Sequence, residues 1–240
     1  MIVYWSVTKP SEDIYLGLDE PKPVIADFKE TANLLPFKQT RSDFTRCPSV
    51  IDYSKNMFSI KSPANIGFVW DGNEVHFDDS IDKDFLAGIV LPREIKSGML
   101  SLRIMPYVFL AEDSCEMHLT GPNLCINNFV DTCTVVPGQF NVGKWFRPLD
   151  FGFFIRQQHR EVLIAKGDTI ANIRFLTDEP ITFKKFYLTP TCEDIINNVV
   201  SFKKSQSLGL KNYFTSMYND FHTSKLRKIL MKEIKNNLLD

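Results

Sequence analysis

No stretch of this 240-residue chain comes near the roughly 20 consecutive apolar residues that a membrane-crossing helix requires. The longest apolar stretches, around Ile104–Ala111 and Phe151–Ile155, have the length of strands. A basic leader is also missing. Met1-Ile-Val-Tyr-Trp-Ser carries no cation before its apolar residues and no small-residue cleavage site, so a first strand is expected there and not a signal peptide. The five cysteines (Cys47, Cys115, Cys125, Cys133 and Cys192) are odd in number, widely spaced and without a CxxC pair. That pattern argues against a disulfide framework or a structural zinc site and predicts reduced thiols. Net charge is nearly absent, at −1, which excludes the chain as a whole as a polyanion binder. A Gly-rich phosphate loop, HExxH, GxSxG and a catalytic Cys signature are all lacking.

What is present is a globular composition, 44% hydrophobic and 24% charged, with 20 Phe against 7 Tyr and 3 Trp to fill a core. Up to about residue 190 short apolar runs are punctuated by turns. Ile66–Trp70 and Glu74–Phe77 flank Asp71-Gly72-Asn73, a good hairpin turn. Met99–Ala111 reads as a central strand bent at Pro106, and Thr132-Cys-Thr-Val-Val stops at Pro137-Gly138. Glu161–Ile164 and Thr169–Phe175 are joined by Lys166-Gly167-Asp168. Many short strands without βαβ alternation predict a mainly β chain: an antiparallel β-sandwich or jelly-roll-like domain over residues 1–190.

A helical tail is expected over residues 191–240. Acids in the first turn of Thr191-Cys-Glu-Asp favour a helix start. Leu210, Phe214, Met217 and Phe221 share one helix face, and Leu226, Leu230, Ile234 and Leu238 begin a second after a slip of register that Thr223 or Ser224 can cap. Residues 201–240 carry a charge of +5 and residues 1–200 a charge of −6. Such a tail folds back on the acidic body or docks on a partner.

Three constellations carry possible chemistry. His76-Phe-Asp78 has the spacing of a facial-triad iron site: side chains two apart on a strand share a face, and His118 or His159 can serve as the second imidazole. Lys144-Trp145-Phe146-Arg147-Pro148 interleaves cations with aromatics, so Lys144, Trp145 and Arg147 are candidates for contact with a ligand or partner, or for closing the end of a barrel. Gly167-Asp-Thr-Ile-Ala-Asn-Ile-Arg-Phe is similar to a segment of the trimeric dUTPases and their dCTP-deaminase relatives, with Gly138-Gln-Phe-Asn141 upstream where that family carries Gly-x-Ile-Asp. The resemblance implies a nucleotide-binding β fold. The family's water-activating Asp is here Asn141, and an amide cannot act as general base.

Taken in order, Cys47-Pro-Ser, Ile60-Lys-Ser-Pro, Phe68-Val-Trp-Asp-Gly, Pro137-Gly-Gln-Phe-Asn, Lys144-Trp-Phe-Arg-Pro-Leu and Lys166-Gly-Asp-Thr-Ile resemble a domain family of unknown function found in T4-like marine phages and some bacteria. That resemblance implies a cytoplasmic protein (of the infected host if phage-encoded) or a virion component, and brings no catalytic residue with it. The leading expectation is a non-enzymatic binding or assembly module whose basic tail engages a protein partner or a second subunit. Neither a membrane nor nucleic acid is an expected partner, and no cofactor follows from the leading reading. The alternative is an Fe(II)/2-oxoglutarate-type oxygenase with His76, Asp78 and His159 as ligands on a double-stranded β-helix. A dUTPase-like nucleotide-binding fold without the catalytic Asp is the third reading.

Overall fold

The computed structural model describes residues 1–8, 20–34, 44–77, 90–94, 98–102, 107–156, 161–205, 221 and 224–239. In chain order its elements are β1 (Ile2–Val7), β2 (Lys22–Pro23), α1 (Ile25–Leu34), α2 (Pro48–Ser54), β3 (Met57–Lys61), β4 (Ile66–Trp70), β5 (Val75–Phe77), β6 (Val90–Glu94), β7 (Met99–Leu102) and β8 (Tyr107–Ala111). There follow β9 (Glu116–Thr120), α3 (Asn128–Thr132), β10 (Cys133–Val135), β11 (Gly138–Asn141), β12 (Phe151–Ile155), β13 (Glu161–Ile164), β14 (Thr169–Phe175), β15 (Thr182–Lys185), α4 (Pro190–Ser205) and α5 (Lys225–Asn236).

The strands form four sheets, ordered β15-β1-β8, β10-β12-β7-β6, β11-β9-β14-β3-β2 and β13-β4-β5. The chain is mainly β and its sheets are antiparallel, as the turn-punctuated pattern predicts; the exception is β1, which pairs in parallel with β15. Inward residues of all four sheets meet in one core, including Trp5, Phe58, Phe68, Phe109, Phe153 and Phe175. Edge-to-face pairs such as Phe58–Phe183, with ring centroids 4.8 Å apart, explain the use of so many phenylalanines: each ring adds area and a preferred contact geometry.

The β1 sheet is covered on both faces. Val3, Trp5 and Val7 face the common core, while Tyr4 faces a second cluster with Val108, Leu110, Phe186, Cys192, Leu230 and Ile234. Helices α4 and α5 therefore lie on the outer face of this sheet. The expected cap is present, since Ser224 Oγ accepts from Arg227 N at 3.2 Å. The expected face of Leu210, Phe214 and Met217 lies outside the described residues.

Arg227 fixes the tail to the body. Its guanidinium donates to the carbonyls of Gly143 and Ala111, both at 3.1 Å, and to that of Glu112. Lys235 Nζ stands 2.9 Å from Glu112 Oε1, which also accepts from Tyr4 OH at 2.7 Å. At the chain's end, Phe186 bridges to Leu238, and Tyr187 N donates to Asn237 O. The fold-back of residues 225–239 on the acidic body is thus a feature of the described structure.

Three helices, α1, α2 and α3, interrupt the part of the chain read as strands and turns. Pro48 starts α2 at a position where a missing N–H costs nothing. Helix α1 has few apolar residues and is held by tertiary contacts: Val24 and Phe28 pack on Met57, and Thr31 Oγ1 donates to Leu124 O at 2.5 Å. Among the described residues no helix is long and apolar enough to cross a membrane.

Candidate functional site: an open groove on the β13-β4-β5 sheet

Strand β4 pairs with β13 and β5 in a register that sets Glu161, Val69 and His76 in one cross-strand row. Ile66, Phe68, Trp70, Val162 and Ile164 point into the core, so the alternation of side chains sends Gly67, Val69 and Leu163 to the opposite face. Two of these outward residues are apolar and open to solvent, Val69 at 39% and Leu163 at 48%. Gly67 pairs with Leu163, and a Cβ at Gly67 would stand 3.3 Å from Leu163 Cδ2, so that side chain leans over the gap the glycine leaves. The result is an open groove of about 520 Å³, with Asn65, Glu161 and His76 also in its lining. Its size falls within the range of ligand-binding clefts, roughly 300–1,000 Å³.

The hairpin turn beside the groove is acidic. Asp71 Oδ1 accepts from the backbone N–H groups of Asn73 and Glu74, both at 2.8 Å, and its Oδ2 lies 2.7 Å from His76 Nε2. The Glu74 N–H, then His76, then the Asn73 N–H hold the Asp71 carboxyl well below the usual carboxylate range. Asp71, Glu74 and Glu161 are all exposed. Lys166 stands at the far end, where its N–H donates to Asn65 Oδ1 at 2.8 Å and the neighbouring Ala165 N–H donates to Asp168.

The sequence-predicted residues occupy different places. His76 lines this groove with one ring nitrogen against Asp71; Asp78 and His159 lie outside the described residues. His118 is on β9, in the five-stranded sheet, paired with Gln139 and Arg174. Among the described residues no three His, Cys, Asp or Glu side chains are grouped to hold a metal ion.

Lys144, Trp145 and Arg147 follow a tight turn built on Asn141. The Asn141 carbonyl accepts from Lys144 N and Trp145 N at 2.9 and 2.8 Å, while its side-chain oxygen accepts from Gly143 N at 3.1 Å. Its amide nitrogen donates to Ser114 Oγ at 2.6 Å and Glu116 Oε1 at 2.8 Å. Where the dUTPase-like segment has a base, this chain has a turn fastener. A side chain at Gly143 would meet the Asp113 carbonyl at 2.5 Å, which is why a glycine sits there. The Trp145 ring packs against that of Phe140 at 4.6 Å, tilted by 54°, and the buried Arg147 lies 4.5 Å over the Trp145 ring with Nη2 on Asp150 Oδ1 at 3.2 Å. Asp150 also binds Arg93. Arg147 and Trp145 are thus engaged with each other, and Phe146 is buried in the second core cluster.

A third cluster had no sequence signal. Lys61 Nζ donates to Asp27 Oδ1 and to Thr169 Oγ1, both at 2.8 Å, and the Thr169 hydroxyl donates to Asp27 Oδ2 at 2.7 Å. A β-bulge between Thr169 and Ala171 turns Thr169 onto the face of Lys61. Asn127 Nδ2 donates to the Thr169 carbonyl at 3.0 Å. Every charge in this triangle has its partner, and its effect is to pin α1 to β3 and β14. The thiol of Cys125 is pushed up by burial and by the nearby Asp27 carboxylate.

The groove was invisible in the sequence for a definite reason. Val69 and Leu163 read as ordinary members of apolar strands, and only the pairing of segments some ninety residues apart shows them to be outward neighbours. The available signal was an apolar residue at the outward phase of two strands whose inward phase was already apolar.

No family model matches the chain, and no curated protein matches it. Among solved structures it is similar to a point mutant of the dUTPase from phage phi11 of S. aureus, at 10% identity over 52% of this chain and 81% of that one, with a TM-score of 0.30.

Proposed function

We propose that this chain is a non-enzymatic binding or assembly module whose contact surface is the groove over β4, β5 and β13. The partner that fits is a polypeptide presenting a helix with a basic, partly apolar face. The observation that carries this reading is the pairing of two exposed apolar side chains, Val69 and Leu163, over the bare backbone of Gly67, with Glu161 in the lining and the exposed Asp71 and Glu74 in the adjoining turn. Apolar surface in such a gap gains by leaving water, and these carboxylates select the sign of what enters. The sheet beneath is held by core residues on its other face, so the groove is preformed and binding orders little of the protein.

The test uses a helix-stapled peptide carrying lysines at i, i+3 and i+7 and isoleucine at i+4, titrated against the full chain by fluorescence anisotropy, with an acidic counterpart as control. Saturable binding of the basic peptide alone is expected, weakened at least tenfold by Leu163→Arg. Methyl chemical shifts of Val69 and Leu163 should move. No saturation up to about 1 mM, a bound of roughly 4 kcal/mol, or binding unaffected by Leu163→Arg, defeats the reading.

A further inference from the structure

Helix α5 presents two opposite faces. Arg227, Leu230 and Ile234 face the body. Lys225, Lys228, Ile229 and Lys232, at i, i+3, i+4 and i+7, form a single stripe on the other side, all exposed. Ile229 is 52% exposed and the adjacent Leu226 is 40% exposed. The stripe is three ammonium groups with Ile229 along one edge, and Leu226 lies beside Ile229 on that flank. The groove is lined by Glu161, Val69, Leu163 and Gly67, and the exposed carboxylates of Asp71, held by His76, and Glu74 stand in the hairpin turn beside it. The two surfaces match in both charge and apolar content. They cannot meet within one molecule through this face, because the inward contacts of Arg227 and Leu230 turn the stripe away from the body that carries the groove.

We infer that the chain assembles with itself head to tail, the outward stripe of α5 on one copy, with Ile229 and Leu226 as anchors, seating in the β13-β4-β5 groove of the next. This rests on the groove being the contact surface, as proposed above. The contact joins two different surfaces, so it is heterologous: it closes into a ring or continues as a filament, and a chain lacking either surface ends the growth. A patch of this size belongs with small, transient interfaces, which sets the association at roughly 10–100 µM. Rim pairs between exposed lysines and carboxylates are screened by salt, over a distance of about 10 Å at 0.1 M and about 3 Å at 1 M. Assembly therefore weakens as salt rises.

Sedimentation velocity of the full chain, from about 5 to about 500 µM at low salt, is the experiment, with Leu163→Arg (groove) and Ile229→Asn (stripe) as variants. Both residues are exposed, and unchanged melting temperatures check that the variants fold. The wild type is expected to grow with concentration, and each variant alone to sediment as a monomer. An equimolar mixture of the two has one intact groove and one intact stripe between them, and should form a 1:1 dimer and nothing larger. A wild type that stays monomeric throughout, or either variant assembling alone like the wild type, overturns the inference, as does a mixture that stays monomeric. If the basic peptide binds the groove while the wild type stays monomeric, the self-assembly falls and the groove reading stands; if the peptide does not bind, the groove reading falls first.

Discussion

Replacing Asp27 with alanine tests whether the Asp27–Lys61–Thr169 triangle carries the stability of the N-terminal part of the chain. The side chain accepts two hydrogen bonds from neighbours, one from an ammonium group, and is 7% exposed. Removing one partner of a buried ion pair costs about 3–5 kcal/mol, chiefly because the other charge is stranded. Lys61 is 34% exposed and can turn toward water, so part of that cost is relieved and about 2–3 kcal/mol is expected. With a urea dependence of about 2–3 kcal/mol per molar, the unfolding midpoint should fall by roughly 1 M, followed by tryptophan fluorescence. Lys61→Met on its own also breaks the pair. In the double variant no charge is left unanswered, and it should be more stable than the sum of the two single losses by about 1–2 kcal/mol. A midpoint shift under about 0.2 M for Asp27→Ala, or strict additivity in the double variant, refutes the assignment of a coupled pair.

Three further outcomes follow from the same geometry. Arg227→Ala removes the one group that joins α5 to three backbone carbonyls, so amide exchange should rise across Lys225–Asn236 while β14 stays protected; Arg227→Lys should rescue only partly, since an ammonium cannot reproduce the fork. Burial first, and then Glu112, pushes the Tyr4 phenol up to about 12. The unfolded chain releases that proton near pH 10, so the contribution of Tyr4 is constant below pH 10 and falls by about 3 kcal/mol in all as pH rises through 12, the part of the alkaline slope that Tyr4→Phe should remove while the part due to the buried thiols stays. The exposed Cys47 thiol is lowered by its hydrogen bonds with Ser49 and the Val50 N–H, while burial pushes Cys133 up to about 12; in timed iodoacetamide labelling read by mass spectrometry Cys47 should react first and Cys133 last, and Ser49→Ala should slow Cys47.

Turns were the most legible part of the sequence, and partners the least. Asp71-Gly72-Asn73 makes the expected hairpin because Gly72 supplies a φ of +106° and the Asp71 carboxylate accepts from the N–H groups of Asn73 and Glu74, all within four residues. Lys166-Gly167-Asp168 is likewise a turn, with Gly167 at φ +91°. Its flanking strands do not pair with each other: β13 joins β4, and β14 joins β3 and β9, because the turn hands the chain from one sheet to another. Local chemistry specifies the turn and long-range packing chooses the partner. Helix α1 was missed since its support, Thr31 on Leu124 and Asp27 on Lys61, comes from residues distant in sequence. The Ser224 cap needed only its own next three residues and was readable. Asn141 was legible as a residue unfit to take a proton; that it fastens a turn required the positions of Ser114 and Glu116.

The parallel pairing of β1 with β15 has a bearing on synthesis. Val3 and Trp5 align with Phe183 and Lys185, so β1 waits for a partner synthesised long after it. At roughly 5–20 residues per second the delay is about 10–40 s; β8 is made partway through it, but until it ends a strand destined for burial on both faces lacks β15 and the helices that cover it. With so late a closure, slowing translation should lower the yield of folded protein and not raise it.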